Sequence, residues 1–174
     1  MRTQLNELYI GEFEAISTLL NDKDLPYIDK WSDIFIILGM TEGEVNELDV
    51  KDFISIINSL AIGYTPDNKV TKEITLNGRV YSHSKEEFSI TVKEMRLMEA
   101  FIYESPEKYI GEALAVVYKD KDLDASLHFD PEHLRNKAKS IREQVTADVA
   151  MPILNKISGV LIDKFKIMEN EKTA

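Results

Sequence analysis

The chain has no cysteine, which excludes disulfides, thiolate catalysis and most structural zinc sites together. Its seven glycines are scattered, and neither a G-x-G-x-x-G fingerprint nor a Walker lysine loop occurs. No G-x-S-x-G nucleophile elbow is present. No apolar run approaches the roughly 20 residues that cross a bilayer. Positive charge is scarce: 21 lysines and arginines face 31 acidic residues, for a formal net charge of -10. Such a field repels phosphate backbones and anionic lipid surfaces, so neither nucleic acid nor a membrane is an expected partner. Met1–Glu7 is too polar for a signal peptide, and a cytoplasmic protein is expected.

What is present is ample core material. Of 174 residues, 44% are hydrophobic and 30% charged, which suits one folded domain rather than a disordered tail. Phe13, Ile16, Leu19 and Leu20 repeat at helical spacing until Asn21–Pro26 interrupts them. Trp31–Leu38 is almost continuously apolar, a pattern shared by buried helices and buried strands; Asp29, Ser32 and Gly39 favour a helix. Thr41-Glu42-Gly43-Glu44 has capping-box spacing. Asp49 then reads as the N-cap of a helix carrying Val50, Phe53, Ile54, Ile57, Leu60 and Ala61.

The period changes at Val70–Leu76 and Arg79–Tyr81, which flank Asn77-Gly78. Asn-Gly between β-rich runs predicts a hairpin over about residues 70–82. Two strands by themselves are marginal, so Leu8–Ile10 or Phe88–Ile90 is expected to add a third. Helices return with a second Thr-x-x-Glu box at Thr91 and the stripe Met95, Met98, Phe101, Ile102. Ser105-Pro106 and Asp130-Pro131 each place a cap before a first-turn proline. The first introduces Tyr109, Ile110, Ala113, Leu114 and Val117 on one face; the second introduces Leu134, Ala138, Ile141 and Val145. A C-terminal stripe runs through Ile153, Leu154, Ile157, Val160, Leu161 and Phe165, with Pro152 either starting that helix or interrupting a longer one from Thr146. The expected fold class is α+β and mainly α-helical, with two helical groups joined around a small β-hairpin. One domain of two lobes is expected: helical over 1–66, hairpin over 67–90, helical over 91–167, and a frayed tail from 168. A faint echo relates Tyr9–Phe13 with residues 31–38 to Ile90–Met95 with residues 109–118.

Chemistry is harder to find. His83 reads as an exposed loop residue. His128 and His133 flank Asp130, but Asp130 is required as a cap, so no metal ligand set is assigned. Asp120-x-Asp122-x-Asp124 resembles the opening of a calcium loop, yet Ala125 stands at the glycine position and Pro131 at the final glutamate position. It reads as a solvated acidic loop, and Lys119–Asp124 as polar loop. Acidic pairs such as Glu86/Glu87 carry no sign of burial. No catalytic residue and no cofactor is therefore expected. Arg135, Lys139 and Arg142 share one face of the helix from residue 131, with Lys137 nearby, and suit either solvent or an acidic partner. Phe101, Ile102, Ile157, Leu161 and Phe165 are the candidate apolar docking residues.

Several segments together resemble small proteins of tailed-bacteriophage morphogenesis, of the tail-assembly-chaperone-like or minor virion type. They are Leu8–Phe13, Ile74–Tyr81, Ile90–Met95, Tyr109–Tyr118 and Thr146–Pro152. The likeness is one of layout. It implies a helical, non-catalytic binding protein in the host cytoplasm or the virion, bound to a larger structural protein or to itself. The competing expectation is a small enzyme or metabolite-binding domain whose site assembles only in three dimensions.

Overall fold

The computed structural model describes residues 7–61, 70–83, 90–104, 109–123 and 127–157. The described chain is mainly α-helical with a small antiparallel sheet, the expected α+β class. In order, it forms α1 (Ile10–Asn21), α2 (Tyr27–Ile37), α3 (Glu42–Glu47), α4 (Val50–Ala61), β1 (Glu73–Leu76), β2 (Arg79–Ser82), α5 (Val92–Glu104), α6 (Tyr109–Val117), β3 (Lys119–Asp120) and α7 (Pro131–Gln144). A last helix, α8, covers residues 147–157.

Local chemistry explains most boundaries. The Glu44 and Glu94 carboxylates each take the N-cap amide, at 2.7 Å from Thr41 and 2.6 Å from Thr91, and each threonine hydroxyl accepts from its glutamate N–H. Glu12 likewise takes the Tyr9 amide at 2.9 Å, although Tyr9, unlike Thr91, contributes no side-chain cap. Asp49 and Asp130 accept the amides of Asp52 and His133, both at 2.8 Å. The Asn-Gly turn has φ of 51° at Asn77 and 78° at Gly78, the paired positive values that a type I′ turn requires. Its register sets Leu76 opposite Arg79 and Ile74 opposite Tyr81. Replacing Thr91 by alanine removes one cap of α5 and should cost about 1 kcal/mol, read as a lower urea midpoint.

Four expectations need correction or completion. The third strand is Lys119–Asp120, paired with Tyr81 and Ser82; residues 119–120 are therefore sheet, not loop. Tyr9 instead makes an isolated bridge to Thr146, while Phe88 lies outside the described residues. α6 does not bury one face only: Ile110, Gly111 and every residue from Ala113 to Val117 are buried, because α5, α7 and α1 surround it. α8 runs through Pro152, so the longer helix from Thr146 is the form adopted. The Ser105-Pro106 cap and the chain beyond Ile157 lie outside the described residues.

Two apolar clusters result. One gathers Ile34, Phe35, Leu38, Val45, Ile57 and Leu60 of α2–α4 with Leu8 and Ile16. The other is built on Leu114, Tyr118, Leu134, Ile141 and Ile153, and includes the inward side chains of the sheet. α1 serves both, through Ile16 on the first and Ile10 on the second. Among the described residues, no helix is long and apolar enough to cross a membrane.

Candidate functional site

The docking residues read from the sequence largely close inward. Phe101 is 8% exposed and Ile157 6%, because the stripes of α5 and α8 close into the second cluster, where α5 packs on α6. They offer no docking face. The Ile102 side chain, Leu161 and Phe165 lie outside the described residues. On α7, Arg135 and Lys139 are exposed, but Arg142 and Lys137 leave the expected basic face and point into the protein.

Arg142, partly buried, is the centre of an ionic cluster around the buried Glu14. Its Nε donates to Glu14 Oε2 at 2.7 Å, and its Nη2 to Glu112 Oε2. Glu14, only 3% exposed, also accepts the Gly111 N–H at 3.1 Å. Burial pushes the Glu14 carboxyl up, against the pull of Arg142 and that amide. Glycines make room: a Cβ on Gly111 would sit 3.0 Å from Arg142 Cζ, and one on Gly11 3.3 Å from Arg142 Cβ. The same tetrapeptide, Tyr-Ile-Gly-Glu, begins at Tyr9 and at Tyr109. That exact repeat was the sequence signal for this contact. Gly111→Ala should displace the guanidinium and cost about 1–3 kcal/mol, checked by urea unfolding.

A second polar cluster lies where β2, β3 and α7 meet. Lys137 is 4% exposed; its Nζ donates to the Tyr118 carbonyl at 2.8 Å, just past the C-terminus of α6. Burial brings its amine down to about 8, with Asp120 opposing and Lys119 adding to the shift. Asp120 is buried, and Arg79 approaches it at 3.8 Å. Burial and Lys137 also hold His133 below the ordinary histidine value. Burial raises the Tyr118 phenol, which donates to the Thr71 carbonyl at 2.6 Å. Nearby, burial opposes ionisation of Glu94, but the bonds from Lys119 and Thr91 hold its carboxyl below the ordinary value. Glu14, Glu94, Asp120 and Lys137 are thus buried; the sequence pattern places Asp120 in a solvated loop and assigns burial to none of the four. Among the described residues, no three histidine, aspartate or glutamate side chains converge as metal ligands.

Two hollows open on the surface. One, of about 570 Å³, lies beside the sheet against Gly78–Val80 and Asp120–Leu123. Its two cations are occupied, Arg79 beside Asp120 and Lys121 on Glu73 at 2.8 Å. The other, of about 340 Å³, is a groove of the first cluster. Tyr27 and Ile28 of α2 form one wall, Val50, Phe53 and Ile54 of α4 the other, and Val45 of α3 closes it. Four of these are well exposed: Tyr27 62%, Ile28 66%, Val50 76% and Ile54 50%. The helical spacing of α4 was legible, but not that Val50 and Ile54 lie at the edge of the buried stripe instead of within it.

Comparison with protein-family models, with curated proteins and with solved structures returns no match to this chain.

Proposed function

We propose that this chain is a non-catalytic protein-binding component in the assembly of a larger complex. The observation that carries the reading is the apolar groove between α2 and α4, whose walls leave Tyr27, Ile28, Val50 and Ile54 in water. Single exposed apolar residues are ordinary; four lining one hollow form a contiguous patch of the kind that marks interaction surfaces. The buried ions support the same reading. Lys137 and Glu14 are closed over by packing and already hydrogen-bonded within the chain, so they serve the frame and not a substrate. The likeness of layout to tailed-phage morphogenesis proteins supplies the setting: tail or virion assembly, with a larger structural protein as the partner.

The test is isolation of the tagged full chain from its native source, with complex mass measured by light scattering. The expected result is a defined complex that the Ile28→Ser/Ile54→Ser variant fails to form. Both positions are half exposed or more, so the variant should keep its stability within about 0.5 kcal/mol per site. A monomer with no partner, or a complex indifferent to these substitutions, would overturn the reading.

A further inference from the structure

We infer that the α2–α4 groove takes one amphipathic α-helix of a partner protein, with lysine or arginine along the flanks of its apolar stripe. The inference rests on the protein-binding reading and names its occupant. It follows from the walls, the size and the charge of the rim.

The walls are helices, whose backbone groups are already satisfied internally, and the sheet belongs to the other apolar cluster. Among the described residues the groove therefore has no open strand edge with which an extended peptide could pair. A segment entering it must satisfy its own backbone, because the apolar walls displace the water that would do so. A helix meets that condition. At about 340 Å³ the groove is at the small end of ligand-sized hollows, which suits a few side chains from one helix face spaced i, i+3, i+4 and i+7.

The rim chooses the charge. From Asp22 to Asp52 the chain carries nine carboxylates and three lysines, a net of -6 out of the whole chain's -10. Asp29 and Asp33 stand on α2, Glu47 at the end of α3, and Asp52 on α4, all exposed. Among the described residues none of these four is in an ion pair. Lys30, the lysine of α2, is turned onto the carbonyls of Leu20 and Asp22. Carboxylates outnumber lysines nine to three around these helices, Lys51 being the exposed lysine of α4, and that excess attracts a positive flank and repels an acidic one, which gives selectivity beyond the apolar contact.

Trp31 provides the readout. It is the chain's sole tryptophan, and its ring lies 6.3 Å from that of Tyr27, which lines the groove. The full chain is titrated with two tryptophan-free synthetic helical peptides that share one leucine stripe, the polar face being lysine in one and glutamate in the other. The lysine peptide is expected to shift Trp31 emission and to bind at least about tenfold more tightly than its acidic twin. Its affinity should fall as salt rises, and fall about tenfold or more in Ile28→Ser/Ile54→Ser. Equal binding of both peptides would overturn the basic partner while leaving the protein-binding reading in place. A concentration-dependent dimer dissolved by the same substitutions would overturn it in favour of a second copy of this chain. A monomer that binds neither peptide would overturn the helical occupant. The broader reading fails separately, when native isolation recovers no partner.

Discussion

Arg142→Met is expected to cost about 3–5 kcal/mol, because it strands a carboxylate inside the protein instead of merely deleting a contact. Glu14 would keep only the Gly111 N–H, while 97% of its surface stays out of water. At a urea dependence of about 2 kcal/mol per molar, the midpoint should fall by about 2 M. Adding Glu14→Gln to the variant should restore part of the loss, since a neutral amide replaces the unpaired charge. The pH dependence follows from the same group. A carboxyl whose folded value is raised contributes stability that is present below its unfolded value and lost as pH rises. Without Arg142 that upward push is larger, so the deficit of the variant should shrink as pH falls toward 4.5, the ordinary value. A deficit that is constant with pH, or below about 1 kcal/mol, would mean that the cluster is solvated and contributes little.

Lys137→Met should remove an alkaline gain in stability that is expected of the native chain. The buried amine titrates at about 8 when folded, against an ordinary value of 10.5. A base whose folded value is depressed is penalised while it must carry a proton. That penalty is full below pH 8, fades from 8 to 10.5, and is absent above. With about 1.4 kcal/mol per unit, the native chain gains about 3 kcal/mol across that window from this residue. Methionine has nothing to titrate, so the difference in stability between variant and native chain should change by about that amount between pH 7 and pH 10.5. Chemical denaturation at a series of pH values measures it directly. A difference that does not move with pH would show that Lys137 remains hydrated.

The two expected effects arise from different sequence situations. Lys137 lies one position before Ala138 and three after Leu134, on the margin of the apolar stripe of α7. A long amphipathic side chain there can turn outward or inward, and periodicity does not choose. Here it turns inward, because the Tyr118 carbonyl at the end of α6 needs a donor and Asp120 lies close by. Arg142, one residue past Ile141, is drawn in by two carboxylates from α1 and α6, 128 and 30 residues away in the chain.

Local patterns determined which segments would be helix and where many of them begin. The two Thr-x-x-Glu boxes, the Asp49 and Asp130 caps and the Asn77-Gly78 turn each act within four residues, and each is formed as the sequence predicts. Helical spacing also identified the greater part of the core around α6, and together with the apolar run Trp31–Leu38 most of the other. Only the tertiary structure decided which charged side chains would be buried, which strand would pair as the third, and which apolar edge would stay in water. Those outcomes depend on the neighbours that packing brings together over tens of residues. β3 is a strand because Tyr81 lies beside Asp120. Ile54 is half exposed because, among the described residues, no helix covers the outer edge of α4, whereas Phe101 and Ile157 are hidden in the cluster that forms around α6. A stripe in a sequence specifies an apolar face; the partner that covers it is chosen in three dimensions.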